Sequence, residues 1–450
     1  TGFERLQQAV SPSAFHNSGE RFDPPKCHPN TRVAVLETIK KWSLDAETQA
    51  DAPSLMWVNG SAGIGKSAIA QTLAEQLAAQ QRLLASYFFS RSDPTRNNGG
   101  SLIATIAYQV AHVIPRFREC IMSAVDRDPF IFKRTLDAQF ACLLIEPIQF
   151  LVRSGHFDCS ASPRVVIIDG LDECQDPNVQ VNILHCLLSA ARNKQLPLVF
   201  LLSSRAEQRL RMAVGSFEST TAKFLTCLNL DGSFFPDKDI KFFLQDKLQE
   251  IKKLHPLHAH IPTNWPTEGQ ISALVRKASR QFIYASTVAK YVASTRHRPT
   301  NRLDIILGLR PAAIHQERPF SELDELYQQI LSSMEPRYLQ PALEILNLLV
   351  LSNTTSWSVE DVESLFSLES GDIHIILCDL SSLVSIQRDD KVEYLRLFHA
   401  SFGDFLQDKT RSRAYYLRPA IRHSIFAHRY FQLFSNPGQH SIFLLFLATN

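Results

Sequence analysis

Eight consecutive residues, Gly60-Ser61-Ala62-Gly63-Ile64-Gly65-Lys66-Ser67, carry the clearest chemistry in the chain. They fit G-x-x-x-x-G-K-[ST], and each residue type in that pattern has its own physical reason. Glycines let successive backbone N–H groups turn inward around an anion. A helix that begins at the lysine adds the positive end of its dipole at the same place. Lys66 then supplies a point charge to β and γ phosphates, and Ser67 a hydroxyl to Mg²⁺. Gly60, Gly63, Ile64, Gly65, Lys66, Ser67 and Ala68 are the candidate phosphate-binding residues. The clustering is notable because the 450-residue chain holds only 16 glycines, roughly half the usual share.

Two further groups of residues fit the same chemistry. The apolar run Val165-Val166-Ile167-Ile168 ends in Asp169-Gly170-Leu171-Asp172-Glu173. A carboxylate at the carboxyl end of a buried strand lies where open α/β sheets bind ligands. Asp169 suits Mg²⁺, which prefers oxygen donors, and Asp172 or Glu173 could orient or deprotonate an attacking water. The run Leu198 to Leu202 is followed by Ser203-Ser204-Arg205. Arg205 could reach a γ-phosphate, or equally could pair with a surface carboxylate. His399, in Leu397-Phe398-His399-Ala400-Ser401-Phe402, is a lone histidine beside aromatics and by itself reads as structural.

Elements that could position these groups follow from periodicity. Leu55–Val58, Leu83–Phe89, Val165–Ile168, Leu198–Leu202 and Phe224–Leu228 are continuous apolar runs of strand length. Helical patterns lie between them, as at Ile69, Leu73, Leu77 and at Leu102, Ile106, Val110. Alternation of this kind predicts an α/β domain, a parallel sheet with helices on both faces. Upstream, a proline-rich stretch gives way to a helix from about Val35 to Trp42 that Thr31 is placed to cap. Beyond Asp231 the strand signal stops. Asp237 is placed to cap one helix, a single helix is expected from Ile271 to Ala289, and Ser321 with Asp324 suggests a capped third. Three more helices and a hairpin, Leu383–Ile386 with Val392–Phe398, give the order of a winged helix.

Composition narrows the function classes. Lys+Arg 47 against Asp+Glu 45 leaves a net charge of +2, so bulk charge makes no case for nucleic acid or an anionic membrane. The stretch Asp372–Leu380, where a winged helix would read DNA, has two acids and no Lys or Arg, so nucleic acid is not an expected partner. Eight scattered cysteines, none in a C-x-x-C pair, indicate a reduced, cytoplasmic setting. No apolar run reaches membrane-spanning length. The start at Thr1 and the apolar tail Ile442–Leu447 read as those of a piece of something longer.

Taken together, these segments resemble the NACHT family of signal-transduction P-loop NTPases, of the STAND class, especially fungal members related to nephrocystin-like N-terminal domains. The resemblance rests on Gly60–Ser67, Val166–Glu173 and Leu201–Arg205. It extends to Asp23–Arg32, Tyr87–Arg91, Phe320–Tyr327 and Phe398–Phe402, covering roughly residues 14–430. It implies an N-terminal linker (1–32), a NACHT P-loop domain (33–232), a helical domain (233–335), a winged-helix domain (336–412) and a truncated C-terminal helical segment (413–450). It also implies a switch that binds ATP or GTP with Mg²⁺ and hydrolyses it slowly. The form with ADP or GDP is closed; the form with triphosphate is open and self-associates, with effector and sensor partners outside the chain. A scaffold that binds nucleotide without hydrolysis is the alternative. On the same resemblance Thr31 and Arg32 line the base and ribose, and His399 matches the winged-helix histidine that contacts a diphosphate. One departure stands out. Where many relatives carry a Gly-x-Pro turn over the base, this chain has Arg280-Gln281-Phe282-Ile283-Tyr284.

Overall fold

The computed structural model describes residues 1–417 except 22–23, 50, 92, 158–163, 195, 217–222, 232–233, 235, 294, 296, 310–319, 333, 352–356, 381–382, 390–391 and 398–399. His399, Asp23, Cys159 and the segment after 417 therefore lie outside the described residues. The chain divides into two compact units, Thr1–Phe243 and Leu244–Asn450.

In the first unit the five apolar runs become strands β1 (Leu55–Asn59), β2 (Leu83–Phe88), β3 (Val165–Asp169), β4 (Val199–Ser204) and β5 (Leu225–Asn229). All four pairings are parallel, in the order β2-β3-β4-β1-β5. Side chains alternate between two cores, as a sheet covered on both faces requires. Met56, Val58, Val165, Ile167, Val199 and Leu201 pack with helices α2 (Val33–Thr48) and α3 (Lys66–Ala79). Leu55, Trp57, Val166, Ile168, Phe200 and Leu202 pack on the other face, with α4 (Leu102–Val113), α5 (Pro115–Arg127), α7 (Glu146–Arg153) and α8 (Pro177–Arg192). Two short helices, α6 (Leu136–Phe140) and α9 (Gln208–Gly215), also belong to this unit, along with α1 (Gly2–Ala9).

The first 21 residues are not a bare linker. Helix α1 opens with a capping box between Thr1 and Glu4, and its Phe3 and Leu6 belong to the second core. Thr31 does not cap α2 either. Arg32 takes the cap position in the left-handed region, φ 55°, while the Thr31 hydroxyl donates to the His28 carbonyl at 2.7 Å.

The second unit is mostly helical. It holds most of α10 (Pro236–Leu254), then α11 (Glu268–Ala278), α12 (Phe282–Val292), α13 (Pro299–Leu307), α14 (Ser321–Ser332) and α15 (Pro336–Leu351). Asp237 and Ser321 lie just inside their helices rather than at cap positions. The helix expected from Ile271 to Ala289 is two helices. Ser279 (φ 45°) and Arg280 (φ 69°) are both left-handed and break it. Then come β6 (Trp357–Ser358), α16 (Val359–Phe366), α17 (Asp372–Ile376), the hairpin β7 (Val384–Asp389) and β8 (Val392–Leu397), α18 (Ala400–Gln407) and α19 (Lys409–Ser412). Ser358 caps α16 by accepting the Asp361 N–H at 3.0 Å. The short strand β6 pairs with β8 and makes the hairpin a three-stranded sheet.

Candidate functional site

Parallel pairing places the ends of β1, β3 and β4 on one edge of the sheet. Asn59 lies opposite Ser204, and Ile168 opposite Leu202. The loop after β1 and the acids after β3 thus flank the end of β4, in the crevice outside the carboxyl ends of the strands.

The loop after β1 turns into α3 at Gly65, whose φ of 103° few residues with a side chain would adopt. At Gly60 the constraint is contact instead. A Cβ there would meet Ile64 Cγ2 and Leu230 Cβ at 3.2 Å. The Lys66 Nζ donates to the carbonyls of Gly60 (2.8 Å) and Ser61 (2.9 Å), so the ammonium lies across the loop it belongs to. Desolvation pushes Lys66 below the usual lysine range; Asp172 is the strongest charge acting the other way. Ala68 follows in the first turn of α3, whose N–H groups have no intrahelical partners.

Two side chains brace this loop from outside, and a third holds one of them in place. Asp231, just past β5, accepts the Ser61 N–H with both carboxylate oxygens at 3.0 Å. Arg32, 3% exposed, donates through Nη2 to the Ile64 carbonyl at 2.7 Å. Its own N–H donates to Asp239 Oδ2 at 3.0 Å. Sequence reasoning missed both acids: Asp231 carries the signal that found Asp169, an acid at the carboxyl end of a strand, whereas Asp239 lies within α10.

Asp169 is buried at the end of β3. Its carboxylate accepts a hydrogen bond from the Ser203 hydroxyl, and the Ser67 hydroxyl lies close enough to act on it. Burial raises its pKa, and those two hydroxyls oppose the rise. The Ser67–Asp169 pair brings a hydroxyl and a carboxylate together at the mouth of the loop. Among the described residues no cluster of three His, Cys, Asp or Glu forms a metal cage. One carboxylate and one hydroxyl, with phosphate oxygens completing the shell, fit Mg²⁺, which keeps water and phosphate ligands. Ser67 and Asp169 are the residues that would hold it.

The two remaining acids differ. Asp172, 3% exposed, is engaged by Arg205: Arg205 N reaches Oδ1 at 2.9 Å and Nε reaches Oδ2 at 3.0 Å. Both oxygens of Asp172 are thus engaged, and the Arg205 guanidinium is turned onto that carboxylate. Among the described residues Glu173 accepts the Arg91 N–H, at 3.2 Å on Oε2, and Arg91 Nη2 caps the Asp172 carbonyl at 2.9 Å. Burial, reinforced by Asp172 and Asp169, pushes Glu173 up to about 7. A carboxyl near 7 is matched to general-base work at neutral pH. Glu207, not anticipated from the sequence, is raised by burial and lies within reach of the Asp172 and Arg205 charges. Thr31 is buried beside the loop-bracing Arg32, and the His28 ring meets Phe243 edge-on at 5.3 Å.

A glycine-bounded loop running into a helix, a serine–aspartate pair beside it and a parallel sheet beneath define a P-loop α/β domain. Residues 33–205 match the family described as nephrocystin 3, N-terminal. No curated protein sequence matches the chain. Among solved structures, the ORC2 protein of Aeropyrum pernix (ADPNP–ADP complexes) superposes at TM-score 0.41 with 13% identity, covering 93% of this chain and 98% of that one. The Cdc6p structure from Pyrobaculum aerophilum gives TM-score 0.33 and 12% identity over 91% and 96% of the two chains. The Aeropyrum pernix ORC1 protein in complex with DNA gives 0.35 and 14% over 92% and 96%. Similarity at these scores carries no functional weight. No described helix is long and apolar enough to cross a membrane.

Proposed function

We propose that the chain is a nucleotide-dependent switch that binds ATP or GTP with Mg²⁺ and hydrolyses it slowly. The observation that carries this reading is the lysine that lies across a glycine loop at the start of α3, with the Ser67 hydroxyl close enough to act on the buried Asp169 carboxylate. Lys66 and the first-turn amides of α3 would hold the phosphates, and Ser67 with Asp169 the metal. Mg²⁺, when bound, neutralises charge developing on the β and γ phosphate oxygens. Glu173 takes the proton of the attacking water; the new P–O bond forms as the bond to the β-phosphate breaks, its electrons staying on the diphosphate. Asp172 holds Arg205 rather than meeting water, which leaves Glu173 as the acid for the water. Thr31 and Arg32, on this reading, border the base and ribose.

The rest of the switch extends the same reading: a closed diphosphate form, an open triphosphate form that self-associates, a winged-helix contact through His399, and a cytoplasmic setting. Differential affinity for two states is what such a switch requires. The engaged Asp172–Arg205 pair also favours a second reading, a nucleotide-binding scaffold without hydrolysis. Single-turnover assays with radiolabelled ATP and GTP separate the two. A switch shows slow phosphate release that Glu173→Gln removes with binding intact; a scaffold shows none in either protein.

A further inference from the structure

Residues 11–21 lie upstream of the family match, yet they are tied to the phosphate-binding unit along the β2 edge of its sheet. The Ser11 N–H donates to Thr105 Oγ1 at 3.0 Å, and the His16 N–H donates to Ser86 Oγ, on the edge strand β2, at 3.0 Å. The segment then crosses to α3, where Gln71 Nε2 donates to the His16 carbonyl at 2.8 Å. Gln71 is 1% exposed, on the helix that carries Lys66 and Ser67.

Arg21 ends this strap. Its Nη1 donates to Gln71 Oε1 at 2.7 Å and to the Phe15 carbonyl at 3.4 Å, and its guanidinium sits 3.9 Å from the centroid of the Phe88 ring. Phe88 is the last residue of β2, paired in register with Asp169. Phe88, Val165 and Ile167 share the face that α3 covers, and strand alternation puts Asp169 on it too. The fold thus fixes a cation on the side of the sheet where Asp169 meets Ser67. Burial lowers Arg21 to about 10, so it stays charged, and Asp169 is the strongest charge acting against that drop.

We propose that Arg21 is a positioning residue of the nucleotide site: a fixed cation that draws polyphosphate toward the loop and weakens the hold of Asp169 on Mg²⁺. This rests on the reading of the loop as a nucleotide site. The physics has opposite signs for its two charges. A nearby guanidinium in a partly desolvated site attracts phosphate and repels a divalent cation. Removing it therefore loosens metal-free nucleotide and tightens the metal. A residue that only supported the fold would shift both in the same direction, or neither.

The test is a titration of the full chain with fluorescent ATP and GTP analogues, first in EDTA and then across a Mg²⁺ series. Arg21→Gln is compared with wild type and Arg21→Lys, with thermal melts of each. The expected result is about fivefold weaker triphosphate binding in EDTA and about fivefold lower Mg²⁺ at half-maximal gain. Arg21→Lys should return both toward wild type. If wild type binds and Arg21→Gln moves neither quantity, or weakens both in step with its melting temperature, the role of Arg21 is wrong and the nucleotide site stands. If wild type binds no analogue under any condition, the nucleotide reading itself fails, and this inference with it.

Discussion

Glu173 is the residue whose chemistry depends most on its surroundings. Its carboxyl is raised to about 7, so between its ordinary value and 7 the folded chain holds a proton that the unfolded chain has lost. Stability from this group therefore falls as pH rises through that window. Glu173→Gln should melt higher than wild type at pH 8, by on the order of 2 °C, and the gap should close by pH 4.5 in differential scanning fluorimetry. Hydrolysis by wild type should rise with pH through about 7 as Glu173 ionises; a flat profile from pH 6 to 8 would remove it as the base. Much of this site was legible in the sequence because loop, lysine, serine and acids are local strings. Asp231, Asp239, Gln71 and Arg21 were not. Each acts on a residue tens of positions away or more, and no spacing rule encodes that.

At the scale of elements, ends and joints matter most. The Asp172–Arg205 pair joins the loop after β3 to the end of β4, with Arg205 only 13% exposed. Arg205→Ala leaves a buried carboxylate without its partner and should cost about 3 kcal/mol in urea unfolding. Glu173→Gln, which breaks no ion pair, should not show that loss. In the second unit, α14 is held to α19 by Asp324 and Arg411, with Nη2 to Oδ1 at 2.7 Å and Nε to Oδ1 at 3.0 Å. The Tyr327 hydroxyl bridges Gln281 (3.2 Å) and Ser401 (2.8 Å). Two stretches singled out from the sequence, Phe320–Tyr327 and Phe398–Phe402, thus meet through Tyr327. Tyr327→Phe should destabilise the chain by about 1–2 kcal/mol and leave nucleotide affinity unchanged. The strands of the first unit were readable because strands buried on both faces appear as unbroken apolar runs. The break at Ser279–Arg280 was not, since an apolar stripe crosses it and neither residue announces a left-handed backbone.

At the scale of the molecule, two compact units share one chain, and every site residue placed by the structure lies in the first. Only His399 belongs by sequence to the second, outside the described residues. The parallel sheet, the two-sided core and the loop at its carboxyl edge follow from sequence pattern. The contribution of residues 1–21 to the first unit does not, because a short amphipathic helix before a proline-rich stretch reads as a tether until its contacts are seen. A ligand that binds only folded protein stabilises it by about 2.7 kcal/mol at a hundredfold excess over Kd. Hydrogen exchange with Mg-nucleotide present should therefore protect peptides around Gly60–Ala79 and Asp169–Glu173 above all others. Nucleotide binding at the loop is tested most directly by calorimetric titration of ATP and GTP, with Mg²⁺, into wild type and Lys66→Ala. Wild type should show saturable one-site binding of at least one nucleotide and Lys66→Ala none, with both proteins folded. Equal binding by the two, or no binding by wild type, would contradict a nucleotide site at the loop.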